Sequence, residues 1–321
     1  GTKAAMEQLI AAPEDPVSAA ILTAWTCKGE TGEELAAAAQ HLLPLCVPLP
    51  LTGAFIDTCG TGGDGLETFN ISTATAIVVA GCGVRVVKHG NRAVSSRSGS
   101  ADVLETLGIK IDWAAEQLAR QLDDVGVVFC LAPRHHPALA GIGGLRRKLG
   151  FRTLFNALGP LLNPARTPRQ VIGVGQIKWL ESISGAAARL GMERVSVVRG
   201  LDGMDEVSLG AATMVGEYKD GGIREYEIHP EDFGLAMAGS RNLRVEDAAE
   251  SRAVLLGVLD NQPGPAREIV IFNAGVALYT ANLVDTIGAG IMRAREIIAS
   301  GAARARLDAF VRFTQQFRSG R

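Results

Sequence analysis

Helical periodicity opens the chain. Asp15 followed by Pro16 is a capping residue followed by a favoured first helical residue, and Val17, Ala20, Ile21 and Ala24 recur at helical spacing until Gly29. Thr31 and Glu34 form a capping box, and Leu35, Ala38, Leu42 and Leu43 carry the next apolar stripe up to Pro44. Two short helices without strands predict a small helical domain. Pro44, Pro48 and Pro50 then make a stiff, non-helical hinge.

From Ala54 the pattern becomes strand, glycine loop, helix, strand. Ala54 to Cys59 is a short extended run, Thr73 to Ala80 a helix closed by Gly81 and Gly83, and Val84 to Val87 a second strand. Ser100 is placed to cap a helix carrying Val103, Leu104 and Leu107. Buried strands are expected at Val125 to Leu131, Gln170 to Val174, Arg194 to Val198 and Ile269 to Phe272. A second proline-rich stretch, Pro160, Pro164 and Pro168, follows a helix-like segment around Leu145. The pattern thus predicts an α/β protein: a small helical domain plus a larger α/β domain with a mostly parallel central sheet. The helical domain is residues 1–48 completed by 133–168, and the α/β domain is residues 53–132 and 169–321.

Composition narrows the function classes. A hydrophobic share of 47% with 21% charge is a globular chain able to bury one large core or two moderate ones. Thirty-two basic against 34 acidic residues, a formal −2, leave no polycationic face for nucleic acid or an anionic membrane. No apolar run is long enough to span a bilayer and the start GTKAAMEQ is not a signal peptide, so a complete cytoplasmic protein is expected. The five cysteines nowhere form C-x-x-C, which favours reduced structural thiols. The chain holds 38 glycines and only 16 aromatic residues, so backbone matters more than aromatic bulk.

The densest chemical signal is DTCGTGGDGLETFNISTA, Asp57 to Ala74. Gly60, Gly62, Gly63 and Gly65 lie between a strand and a helix, where free N–H groups converge on an anion. The spacing formally satisfies G-x-G-x-x-G, but the helix starts late and Lys88 stands where a dinucleotide site wants an acid. No Gly-Lys-Ser/Thr follows, so the loop is not a Walker motif. A glycine-rich turn without ligand is the plain alternative.

Three further clusters follow. In KHGNRAVSSRSGSAD, Lys88 to Asp102, Lys88 and Arg92 supply charge and Asn91 and Ser95 supply donors at a strand end. In GLDGMDEVSL, Gly200 to Leu209, the adjacent carboxylates Asp205 and Glu206 suit Mg²⁺ or form a solvated acidic turn. In RHHPALAGIGGLRRKLG, Arg134 to Gly150, the basic run is a solvated helix face unless a guanidinium turns inward to a planar carboxylate. His89, next to Lys88, is a packing or hydrogen-bonding residue or a catalyst, and His89 and His136 are the candidates to take a proton.

Taken together, GTGGD, NIST, KHGNRAVSS, FNALGPLLNPA and GMDEVSLG, in that order, resemble the anthranilate phosphoribosyltransferase family. The resemblance implies a homodimer formed through the helical domain. It also implies transfer of the phosphoribosyl group of 5-phosphoribosyl 1-pyrophosphate to anthranilate, with two Mg²⁺ ions per subunit, in tryptophan biosynthesis. Carried over by motif, Gly60, Thr61, Gly62, Gly63, Asp64, Thr68, Asn70, Ser72, Thr73, Lys88, His89, Gly90, Asn91, Ser95 and Ser100 would bind the donor. Ser72, Asp205 and Glu206 would hold metal, and Asn91, His136 and Arg146 would line the acceptor site. Arg146 stands ten residues after His136, the family's spacing for the arginine on the anthranilate carboxylate; glycines precede it where the family carries bulkier residues. A nucleoside phosphorylase would lack a use for the acidic pair, and a nucleic-acid-binding paralogue should be basic.

Overall fold

The computed structural model describes residues 1–93 and 97–316. Three helices come first: α1 (Thr2–Ala11), α2 (Pro16–Lys28) and α3 (Gly32–Leu42). Both expected caps form, with Asp15 Oδ1 accepting from Val17 N at 2.7 Å and Thr31 and Glu34 exchanging the bonds of a capping box. Helix α1 has no side-chain cap, so its start carries no mark in the sequence. Most of the expected α2 stripe faces outward: Ser18, Leu22 and Trp25 are buried and Ile21 packs partly against the core, whereas Val17, Ala20 and Ala24 are exposed. Ser18 is tolerated inside because its hydroxyl donates to Ala12 O at 2.7 Å.

The sheet is then built in βα units. Strand β1 (Ile56–Thr58), α4 (Ile71–Gly81), β2 (Val86–Gly90), α5 (Ser100–Thr106), α6 (Ala115–Val125) and β3 (Val127–Leu131) come first. Short helices α7 (Ala132–His135), α8 (Ile142–Leu149) and α9 (Leu154–Leu158) follow before the chain returns through β4 (Arg169–Gly173), α10 (Lys178–Arg189) and β5 (Arg194–Gly200). A hairpin of β6 (Thr213–Lys219) and β7 (Gly222–Ile228) completes the sheet, and α11 (Ala248–Leu259), α12 (Pro265–Thr280), α13 (Ile287–Ala299) and α14 (Ala302–Gln316) close the chain. The order of the seven strands is β3-β2-β1-β4-β5-β6-β7, with β1 to β5 parallel and β6 and β7 antiparallel. Strand order reverses between β1 and β4, so the crevice for a ligand opens at their carboxyl ends.

Three expectations need correction. Ile269 to Phe272 is not a strand but the middle of α12, where all four side chains are fully buried. An apolar run enclosed on every side has no period to read, and Pro265 in the first helical turn is the deciding signal. Ser100 is the first helical residue of α5 rather than its cap, which is Gly99. The β6–β7 hairpin is absent from the sequence expectation, although Asp220-Gly221, with φ of 51° and 77°, is the pair that such a two-residue turn demands.

One sheet face, including Ile56, Val86, Val171 and Val198, packs with α4 and α11–α14 in the largest apolar cluster. On the other face Ile172, Val174, Val195 and Val197 join α10 and residues of α1, α3, α8 and α9. The two helical stretches, far apart in sequence, thus meet in one core beside β4 and β5. Helix α6 with Trp113 covers the same face of β2 and β3. Among the described residues no helix is long and apolar enough to cross a membrane.

Candidate active site

Four loops converge at the carboxyl ends of β1, β2, β4 and β5. The glycine loop follows β1, and Gly62, Gly63 and Gly65 hold φ of 64°, 78° and 74°, values that favour glycine. It lies directly on the end of β4: Thr61 N donates to Gly173 O at 2.8 Å, and Thr61 Oγ1 accepts from Gly175 N at 2.9 Å. Thr61 therefore staples the loop to the sheet instead of offering its N–H to an anion. A Cβ on Gly60 would come within 3.1 Å of Gly173 O and 3.6 Å of Asp205 Oδ2, so the acidic loop closes over the same spot.

That acidic loop is rigidly held. Buried Asn273, on α12, donates to Val207 O at 2.9 Å and accepts from Val207 N at 2.9 Å. Asp202 accepts from Ser208 Oγ at 2.7 Å. Asp205 and Glu206 are thereby fixed facing the glycine loop, where Asp205 N donates to Asp64 Oδ2 at 3.4 Å. Burial, then the neighbouring Asp64 charge, pushes the Asp205 carboxyl well above the usual carboxylate range. Glu206 is raised in the same way by burial and by Asp205, while Lys88 and the Ser72 backbone N–H favour its charged form. Carboxylates crowded to this degree call for a cation.

The donor set fits Mg²⁺. Ser72, in the first turn of α4, and Glu206 line one small cavity of about 10 Å³, about the space of a single water. Among the described residues no cluster of three or more His, Cys, Asp or Glu could enclose a metal alone. A site with one or two carboxylates and a hydroxyl suits an ion that keeps waters and takes its remaining oxygens from phosphate. The second cavity, about 320 Å³, opens beside Pro168 and Glu193 at the opposite ends of β4 and β5 and contains none of the expected site residues.

Lys88 is buried on β2, and its Nζ donates to Thr58 O at 2.6 Å and to Ser72 Oγ at 3.2 Å. It stands between Glu206 and Asp57, whose carboxyl is pushed up to about 6 by burial even though Lys88 and Asn163 favour the charged form. Asp57 accepts from His89 N at 3.2 Å and Asn163 Nδ2 at 2.9 Å, tying β1 to the segment after α9. Both histidines serve that junction. His89 Nδ1 pairs with Gly159 O at 3.1 Å and His136 Nε2 with Leu162 O at 2.8 Å, and the rings meet edge-on at 5.3 Å. Burial drives His89 down to about 3 and His136 to about 4, so both are neutral at physiological pH.

Other expected residues divide. Asn70 is occupied internally: its Oδ1 accepts from Ser98 and Ser251 and its Nδ2 donates to Ser98 O. Thr73 is buried, its hydroxyl without a partner among the described residues. Thr68 forms an isolated bridge with Arg244. Gly90 has no room for a side chain, since Ser100 Oγ lies where its Cβ would be. Ser100 Oγ donates to Asn91 O at 3.3 Å, and the exposed Asn91 side chain accepts from Arg92 N at 2.8 Å. Arg92 is not a free anion-binding charge, being paired with Glu105 and Asp102. Ser95 lies outside the described residues.

On the acceptor side, Arg146 turns inward on α8 while Arg147 is exposed. Its guanidinium lies 6.0 Å from the Phe155 ring centre, and burial followed by the charge of Arg152 lowers its pKa. The glycines before it allow close packing: Cβ atoms on Gly141 and Gly144 would come within 2.8 Å of Pro13 Cγ and 3.1 Å of Glu14 Oε1. Arg152, Asp57, Asn163 and Asn273 contact the glycine loop, the acidic loop or the junction of β1 with the segment after α9, and sequence reasoning overlooks all four. Asp57 and Asn163 lie inside motifs already singled out, whereas Arg152 and Asn273 carry no local signal.

Residues 52–304 match the model of the glycosyl transferase family a/b domain. Anthranilate phosphoribosyltransferase of Aromatoleum aromaticum is 56% identical over 316 residues, covering 97% of this chain and 92% of the relative. The chain belongs to the anthranilate phosphoribosyltransferase family. The crystal structure of the Thermus thermophilus family member superposes with a TM-score of 0.91 at 37% identity, covering 98% of this chain and 94% of that one. The Saccharomyces cerevisiae family member in complex with PRPP and Mg gives a TM-score of 0.87 at 27% identity, covering 98% and 92%.

Proposed function

We propose the following division of labour for the family's reaction, transfer of the 5-phosphoribosyl group of 5-phosphoribosyl 1-pyrophosphate (PRPP) to the amine of anthranilate in tryptophan biosynthesis. The observation that carries it is the meeting of Ser72, Lys88, Asp205 and Glu206 over the glycine loop at the strand-order reversal. The glycine loop and α4 N-terminus receive the diphosphate, Lys88 supplies positive charge to the donor, and Asp64, Asn70 and Thr68 hold the loop in shape. Ser72, Glu206 and Asp205 would hold Mg²⁺, two ions in the family reading, together with oxygens of the donor. When bound, Mg²⁺ neutralises the charge that develops on the departing diphosphate.

Arg146 pairs with the anthranilate carboxylate and aims the amine at the anomeric carbon. The acceptor amine is neutral at pH 7, so attack needs no strong base. His89 and His136, neutral and bonded to backbone carbonyls, shape the junction between the helical unit and the sheet. The outward apolar stripe of α2 supports a homodimer through the helical unit. The five free cysteines support a reducing, cytoplasmic setting.

Mixing protein, anthranilate, PRPP and Mg²⁺ and following anthranilate fluorescence tests the reading. Donor- and Mg²⁺-dependent loss of fluorescence is expected; no such loss would refute it.

A further inference from the structure

Arg152 follows the Gly150 terminus of α8, and its guanidinium crosses from the helical segment into the glycine loop. Its Nη2 donates to Thr61 O at 3.1 Å and to Gly62 O at 2.6 Å. Its Nη1 occupies the space a Cβ on Gly63 would fill, so the missing side chain at Gly63 makes room for this cation. The guanidinium also lies 5.2 Å from the ring centre of buried Trp179, which is anchored by donating to Glu30 at 3.1 Å.

This arrangement is electrostatically incomplete. A guanidinium carries five donors in a planar fork, and here two neutral carbonyls accept from it while its buried Nε has no partner among the described residues. Asp205 and Asp64 stabilise its charge from a distance, against the effect of burial. A half-buried cation whose enclosed Nε has no acceptor keeps donors free for an anion at the mouth of the loop. The fork is planar and paired, which matches two oxygens of a phosphate.

We propose that Arg152 binds the diphosphate of the donor, delivered to the α/β cradle by the helical segment. The inference rests on the donor site proposed above and adds a residue to it. In the reaction the anomeric C–O bond breaks and both its electrons leave with the diphosphate. The new C–N bond forms from the amine lone pair, and the amine proton is released to solvent. Arg152 meets the negative charge where it accumulates, on the leaving group. Because the residue belongs to the segment between α8 and α9, diphosphate binding also ties that segment to the glycine loop.

The experiment is calorimetric titration with Mg²⁺-pyrophosphate, paired with steady-state kinetics, on the wild-type chain, Arg152→Ala and Arg152→Gln. Losing a charge-assisted pair predicts a pyrophosphate affinity lower by ~10- to 100-fold in both variants. The donor KM should rise in parallel, the anthranilate KM should stay within about twofold, and added guanidinium ion should partly restore Arg152→Ala. Arg152→Gln keeps part of the stem over Trp179, so it answers the question if the alanine variant does not fold. Unchanged pyrophosphate affinity in a folded variant, or an equal rise in both KM values without guanidinium rescue, overturns the proposal. A wild-type chain that binds Mg²⁺-pyrophosphate through Arg152 but makes no phosphoribosyl anthranilate refutes the transferase reading alone.

Discussion

Arg146 and Arg152 flank one turn of chain yet meet different surroundings, and their substitutions should separate accordingly. Arg146 stands over Phe155 away from the acidic loop, while Arg152 faces Asp64 and Asp205. Arg146→Ala should raise the anthranilate KM by roughly tenfold or more and leave the donor KM nearly unchanged. Steady-state kinetics with each substrate varied in turn checks this, and equal effects would make Arg146 a packing residue. The histidines allow a second residue-level test. His89, lowered to about 3 by burial, binds its proton less tightly folded than unfolded. Its contribution to stability is therefore full above the ordinary histidine pKa and is lost as pH falls toward 3, at up to about 1.4 kcal/mol for each step of one in pH. His89→Asn can still donate to Gly159 O, so its stability deficit relative to wild type at about pH 7.5 should shrink at about pH 4.5. Urea titrations at the two pH values measure it, and a deficit independent of pH would mean that His89 titrates normally.

At the scale of elements, the acidic loop owes its shape to a helix that the sequence disguises as a strand. Helix α12 carries Asn273, whose side chain satisfies both backbone groups of Val207. Asn273→Ala leaves a buried N–H and C=O unpaired, a loss of about 3 kcal/mol in unfolding free energy. It should also raise the Mg²⁺ concentration for half-maximal rate, because Asp205 and Glu206 lose their support; an unchanged Mg²⁺ titration would show that the loop holds itself. The same helix marks the limit of what is legible. Caps at Asp15 and Thr31, glycine stops and alternating strand-helix units are local, so α2 to α5 and strands β1 to β5 are readable within a few residues of their ends, whereas α6, α7, α9 and α10 receive no bounds from the pattern. The α12 run is uniformly buried, and burial on all sides erases the period that separates helix from strand. The site divides along the same line. Ser72, Lys88, Asp205 and Glu206 sit in or directly beside loops whose composition announces anion and cation binding. Arg152 and Asn273 act only through contacts across about 90 and 66 residues of chain, and no local pattern encodes such pairs.

For the whole molecule, the face that α2 presents is the element hardest to reconcile with an isolated subunit. Its inward side carries Ser18 beside Leu22 and Trp25, while Val17, Ala20 and Ala24 face outward, with Val17 54% exposed. In the proposed homodimer this outward stripe would be the surface that a second copy covers. A twofold dimer would place this stripe against its own copy, because a closed pair of identical chains uses one patch on both subunits. The dimer predicts sedimentation at twice the 33.7 kDa chain mass. Val17→Glu combined with Ala24→Glu puts charges on positions that are solvent-exposed in the single subunit, so the fold should survive while two pairs of like charges oppose each other across the interface. The variant should therefore sediment at the single-chain mass, with the circular dichroism of the wild type and a thermal midpoint that no longer rises with protein concentration. A wild-type chain that is monomeric across the concentration range, or a variant that remains dimeric, would place the interface elsewhere or remove it.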